Sequence, residues 1–308
     1  MPLQNPTPTA AHTDFSGLWI PLVTPFDGNA IDHPALAALT TRMRNAGVAG
    51  FVACGSTGEA AALSHAEEDA ALATIVQAAA GLPVVMGASD CNLARMLERM
   101  QQLNQQPLAA VLVPPPSYIR PSQAGLMQWF TCLADASVHP LIIYDIPART
   151  GAVMALETLR ELARHPRIVA IKDCGCDANK TQALIHDGQL QVMVGEDAQI
   201  FSTLAQGGHG VIAASAHAHT GHFVELLHLL ARGEVLCAQP LWQVLLPHIR
   251  CSFEEPNPAP IKGLLAHMGW MRPDLRAPMT PASSDLVLRM SQLPMPSPLA
   301  DPTTARRA

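Results

Sequence analysis

Lysine is scarce in this chain. Of 19 basic residues only Lys172, Lys180 and Lys262 are lysines. A guanidinium stays protonated, whereas a lysine amine can lose its proton and attack a carbonyl carbon. Lys172 ends the apolar run of "VAIKDCGC" (169–176). There Val169, Ala170 and Ile171 would wall the amine off from water and lower its pKa. A keto acid captured by such an amine becomes an iminium. That electron sink lets the adjacent carbon lose a proton without a metal or cofactor. Tyr144, one of two tyrosines, stands in "YDIPARTG" (144–151) and can move protons for the site. "GSTGE" (55–59) supplies two hydroxyls and several backbone N–H groups, a seat for a carboxylate. Arg149 offers a planar fork for a second carboxylate. These residue types point to a Schiff-base enzyme acting on a small keto acid. Lys180, in "DANKTQ", reads as a solvated helix residue. Lys262, after "PNPAP", reads as a structural tie, and Glu59 as a carboxylate bracing a loop.

The elements that must bring these residues together are legible as alternation. Near-continuous apolar runs recur at 18–26, 50–55, 83–89, 109–115, 140–147, 168–173, 190–197 and 210–215, as expected of parallel strands buried on both faces. Between them lie helical patterns, including 34–46, 66–80, 93–105, 121–137 and 155–165, with further ones at 178–187, 198–206 and 219–232. Asp32, Pro34 and Gly47 punctuate the first. Eight such units predict an α/β fold, a (β/α)₈ TIM barrel over 15–233 with a helical extension over 234–293. An open doubly wound sheet uses the same alternation, but no Gly-x-Gly-x-x-Gly follows the first strand. Barrel active sites lie at the C-terminal strand ends, and Lys172, Tyr144 and Tyr118 all fall on that rim.

Composition narrows the function classes. A net charge of −6 and a pI near 6.1 provide no basic footprint for nucleic acid or anionic membranes. The N-terminus lacks a basic and apolar leader, and no apolar run is long enough to span a bilayer. Seven cysteines, scattered apart from Cys174 and Cys176, suggest reduced thiols in a cytoplasmic protein. The Pro-rich ends, 1–14 and 294–308, read as disordered tails. Cys54 and Cys132 read as small buried apolar residues.

The motifs "GSTGEAAALSHAE", "YIRPSQAGL", "YDIPARTG", "AIKD", "GGHGVI", "EPNPAPIK" and "LRAPMTP" together carry a resemblance. From about Phe15 to Met290 the chain resembles the dihydrodipicolinate synthase (4-hydroxy-tetrahydrodipicolinate synthase) family, within the N-acetylneuraminate lyase superfamily of pyruvate-dependent aldolases. The resemblance implies that Lys172 forms the Schiff base with pyruvate and that Tyr144 donates and accepts protons. Ser56 stands at a usual threonine and would keep the relay hydroxyl. Thr57 would bind the pyruvate carboxylate, Arg149 would hold the carboxylate of aspartate semialdehyde, and Gly195 and the Ile212 carbonyl would line the pocket. Tyr118 resembles the tyrosine that members lend across a dimer interface, which implies a homodimer or homotetramer. Cofactor and metal are implied by neither the residues nor the resemblance.

Departures from the family pattern accompany these matches. Ser117 and Ile119 flank Tyr118 in place of the usual residues, and "DCGC" follows where the family has acid-Ala-Thr-Gly. Glu68, Cys91, Arg95 and Ser117 occupy positions where the family's allosteric lysine pocket has other residues, which predicts weak or absent feedback by lysine. Three rival readings are a sugar-acid or hydroxy-oxoglutarate aldolase, a metal enzyme using His217, His219 and His222 of "SAHAHTGH" or Cys174 and Cys176, and a non-catalytic keto-acid sensor. Within the metal reading, surface or helix-start histidines are the simpler account of that cluster.

Overall fold

The structure is a computed structural model, and it describes residues 14–294. The tails read at 1–14 and 294–308 lie outside those residues except for Asp14 and Pro294. Eight parallel strands close into a barrel: β1 (Gly17–Pro21), β2 (Gly50–Ala53), β3 (Val84–Gly87), β4 (Ala110–Val113), β5 (Leu141–Asp145), β6 (Ile168–Asp173), β7 (Gln191–Val194) and β8 (Gly210–Ile212). They follow one another around the ring in chain order, and β1 closes it by pairing with both β2 and β8. Eight helices wrap the ring: α1 (His33–Asn45), α2 (His65–Ala79), α3 (Leu93–Leu103), α4 (Gln123–Ala136), α5 (Leu156–Leu162), α6 (Ala178–Asp187), α7 (Ile200–Ala205) and α8 (Thr220–Ala231). The extension comprises α9 (Val235–Cys251), α10 (Ala259–His267) and α11 (Ser284–Gln292).

Local chemistry sets these boundaries. The Asp32 carboxylate caps α1 by accepting from the Ala35 N–H at 2.9 Å, and Pro34 sits in its first turn. Ser64 and Glu67 form a capping box at the start of α2. The first apolar run is shorter as a strand than its sequence suggests. β1 stops at Pro21, and Phe26–Asp27 pairs with Ala30–Ile31 as a small antiparallel ribbon. Prolines at 21 and 25 bracket the break, since a residue without an N–H cannot extend a ladder.

Alternation along the strands divides the core into two layers. Leu18, Phe51, Val84, Val111, Ile143 and Ile171 face the helices, while Trp19, Val52, Val85, Leu112, Ile142, Ala170 and Met193 fill the barrel. Trp19 packs against Phe15 within the barrel, the ring centroids 5.3 Å apart and the planes tilted by 46°. Burying each of the Val, Leu, Ile, Phe and Met side chains among these contributes about 1.5–3 kcal/mol.

One irregularity changes the parity. β5 pairs Leu141 with Ile168 but Ile142 with Ala170, so Val169 is an extra residue, a β-bulge. Ile168 faces the helices, yet Ala170, two residues on, faces the barrel interior. After the bulge Tyr144 lies beside Lys172, and Lys172 beside Met193. Among the described residues, no helix is long and apolar enough to cross a membrane. All seven cysteines are free.

Candidate active site

The inward parity set by the bulge puts Tyr144 and Lys172 on neighbouring strands at the barrel mouth. Lys172 is 5 % exposed, and its Nζ lies 4.2 Å from the centre of the Tyr144 ring. Of the wall residues expected, Ala170 and Val169 belong to the barrel interior, whereas Ile171 faces the helices. The side chain also runs past Gly195 and Cys174. A Cβ at Gly195 would sit 2.4 Å from Cys174 Sγ and 2.7 Å from Lys172 Cγ, so only glycine fits. Ile212 lies in the same interior cluster as Tyr144.

Ser56 and Thr57 open a single 3₁₀ turn, Ser56–Gly58, directly after β2. Ser56 lines the same cavity as Tyr144, and its side chain acts to lower the phenol's pKa. Thr57 is buried, and its Oγ1 accepts from Asn257 Nδ2 at 3.0 Å. Arg149 sits on the one-turn helix Pro147–Thr150 after β5, which Gly151 ends at φ +70°. Arg149 is exposed, and its Nη2 reaches the Asn257 main-chain oxygen at 3.5 Å. A cavity of about 550 Å³ opens between these elements, with Ser56, Leu112, Ser117, Tyr144, Ile146 and Arg149 among its walls. Tyr118 is not gathered in. Its side chain is 91 % exposed, on a loop where Tyr118 and Arg120 both have positive φ.

The electrostatics correct one expectation. Burial is the largest influence on the Lys172 amine and lowers its pKa, as the sequence suggests. The charges of ionised Tyr144, Cys174 and Asp197 outweigh it and raise the pKa above the ordinary lysine value. Burial in turn raises the Tyr144 phenol, against the pull of Lys172. It pushes the Cys174 thiol up to about 12. Amine and phenol therefore form one coupled pair. With both pKa values raised the amine rests as the ammonium beside a neutral phenol, and the phenol is the group placed to exchange protons with it. Asp197, which accepts from the Ser215 N–H at 2.8 Å and from its Oγ at 2.6 Å, is pushed up by burial to about 6.

Lys180 departs from its reading as a solvated residue. It is 8 % exposed, and its Nζ donates to Asp145 Oδ2 at 2.5 Å and to the Met154 carbonyl at 3.3 Å. The first turn of α6 lies over the ends of β5 and β6, which brings the amine to a buried carboxylate. Lys262 is the tie expected: fully buried, it donates to Glu59 Oε1 at 2.6 Å and the Thr24 carbonyl at 2.8 Å. Cys54 is buried and Cys132 only half-buried.

The histidines of "SAHAHTGH" are not all surface or helix-start residues. His217 is fully buried, its Nε2 accepting from the Val23 N–H and its Nδ1 meeting the Ala214 carbonyl. With both ring nitrogens engaged it has no lone pair for a metal. Among the described residues, no group of three or more His, Cys, Asp or Glu is placed to hold a metal ion. Asn257 is the site-facing residue that the sequence reading passed over. Its signal was present in "EPNPAPIK", but nothing in the sequence says that a segment two hundred residues downstream returns to the "GSTGE" loop.

Residues 14–293 match the model of the dihydrodipicolinate synthetase family. The chain belongs to this family. Its relatives include the 4-hydroxy-tetrahydrodipicolinate synthase of Limosilactobacillus fermentum, 37 % identical over 265 residues, covering 84 % of each chain. The 4-hydroxy-tetrahydrodipicolinate synthase 2 of Clostridium acetobutylicum is 33 % identical over 280 residues, covering 90 % of this chain and 98 % of the relative. Among solved structures, the chloride-inhibited dihydrodipicolinate synthase of Acinetobacter baumannii complexed with pyruvate superposes with a TM-score of 0.87. It is 28 % identical, covering 90 % of this chain and 97 % of that one. The eight-stranded barrel with its helical extension is thus the architecture of dihydrodipicolinate synthases.

Proposed function

We propose that this chain is a Schiff-base lyase that condenses pyruvate with L-aspartate 4-semialdehyde to 4-hydroxy-tetrahydrodipicolinate, a step of lysine and diaminopimelate biosynthesis. The observation that carries the reading is the buried Lys172 amine against Tyr144, with no carboxylate in ion-pair contact among the described residues. The names of its relatives support the choice of reaction.

In this reading the Lys172 amine, once its proton has passed to the relay, attacks the ketone carbon of pyruvate, and loss of water leaves an iminium. Tyr144, which shares a cavity with Ser56, takes and returns the protons. Thr57 holds the pyruvate carboxylate, and Gly195 leaves room beside the lysine stem. Ile212 contributes its carbonyl to the pocket wall. Loss of a C3 proton converts the iminium to an enamine, which attacks the aldehyde while Arg149 holds the second carboxylate. The substrate amine then displaces Lys172 by transimination and closes the ring. Tyr118, exposed on its own protomer, completes the relay of a neighbouring copy in a homodimer or homotetramer. The free cysteines agree with a cytoplasmic setting.

The test is intact mass after incubation with pyruvate and borohydride, set beside turnover of pyruvate plus aspartate semialdehyde. A reduced pyruvate adduct on Lys172 and ring formation are expected. An adduct with cleavage of N-acetylneuraminate or keto-deoxy sugar acids instead would reassign the second substrate. No adduct would end the Schiff-base reading.

A further inference from the structure

Asn257 touches two of the residues assigned to carboxylates. It lies in the segment between α9 and α10, its Nδ2 donating to Thr57 Oγ1 and its main-chain oxygen accepting from Arg149. Five residues on, Lys262 grips Glu59, so the extension holds the "GSTGE" loop at two points. Of the two contacts the Lys262 pair is a brace. The Asn257 contact is directional.

An amide NH₂ has no lone pair to offer, so the Thr57 hydroxyl can meet it only as an acceptor. Thr57 therefore keeps its own proton to give elsewhere. The other amide atom, Asn257 Oδ1, is shielded from solvent and has no hydrogen-bond partner among the described residues. Leaving a buried acceptor unpaired costs stability, and an apolar residue of similar size would avoid that cost. The side chain is spent on Thr57 alone.

We infer that Asn257 is a positioning residue that turns the Thr57 hydroxyl into a fixed donor for the carboxylate of the keto acid. This rests on the Schiff-base reading above. It makes the helical extension part of keto-acid recognition, although no atom of Asn257 need touch the substrate.

The experiment is a pyruvate titration of borohydride trapping, read by intact mass, on the full chain. The half-saturating aldehyde concentration is measured alongside in turnover. Because the Arg149 contact uses the main chain of Asn257, it survives substitution, and the aldehyde value serves as an internal control. Asn257→Ala is expected to raise half-saturating pyruvate about tenfold, with the trapping plateau kept, as for loss of one hydrogen bond to a charged group. Asn257→Asp, nearly isosteric, should raise it about a hundredfold, because its carboxylate takes the Thr57 proton and repels the ligand. Thr57→Val should resemble Asn257→Ala, and combining the two should add nothing further. Wild-type half-saturation in Asn257→Asp, or independent effects in the double variant, overturns the inference. Should Asn257→Ala fail to fold, Asn257→Asp decides alone. A parent chain that traps no pyruvate overturns the Schiff-base reading itself, and this inference with it.

Discussion

Three lysines are buried in this molecule, in two kinds of surroundings. Lys262 and Lys180 each touch a carboxylate, Glu59 at 2.6 Å and Asp145 at 2.5 Å. Among the described residues Lys172 has no such contact; a phenol, a thiol and a glycine surround it. The amines of Lys262 and Lys180 are each engaged by a carboxylate, so neither is free to approach a carbonyl carbon. A buried amine beside a phenol can trade its proton with that phenol. Burial is thus common to all three, and the neighbour decides which lysine can react.

The most severe test of that contrast is Lys172→Arg, which retains the charge and removes the nucleophile. Turnover should fall by about 10⁴-fold or more, with no borohydride-trapped adduct and a melting temperature near the parent's. Retained turnover would show that another amine serves. Lys262→Met should do the reverse. Stranding Glu59 in the interior should cost about 3–5 kcal/mol in denaturant unfolding. Changing Glu59→Gln as well should restore most of it, and no recovery would mean that packing, not charge, is the tie.

A smaller effect concerns Asp197, the nearest thing Lys172 has to an anionic neighbour. Burial raises it, so its proton leaves near pH 6 in the fold and near 3.8 in the unfolded chain, a difference of about 3 kcal/mol. Stability from this group is present below pH 3.8 and lost as pH rises through 6. Asp197→Asn should therefore gain on the parent across that window in melting curves taken at a series of pH values. A constant difference would show that Asp197 does not titrate there. The smallest effect expected is none: free L-lysine should leave the initial rate unchanged. Arg95 is claimed by Asp90 at 2.7 Å, and Glu68 by Arg99 at 3.0 Å. Burial also pushes Glu68 up to about 7, which weakens it as a seat for an ammonium. Inhibition at low lysine would show that the pocket still works.

Most of the barrel was legible because buried parallel strands are apolar on both faces, and the count of eight is visible in the chain. Lys172 and Tyr144 were legible for a different reason, their rarity at strand ends. Lys180 was misread because its sequence neighbours are polar, while its partner Asp145 comes from another strand. Asn257 was missed on the same ground, since its contact with Thr57 spans the whole barrel. The Lys172 pKa expectation considered burial and left out the phenol, which only the strand register reveals.

The bulge at Val169 has a consequence for how this molecule tolerates change. Counted in strict alternation from Ile168, position 172 belongs to the outer layer, among the side chains that meet the helices. The one supernumerary residue turns it about-face into the mouth. Deleting Val169 would remove the bulge and restore plain alternation, with Ile168 still outward and the amine still inward, whereas inserting one further residue between Ala170 and Lys172 would present the amine to the wrong side of the wall.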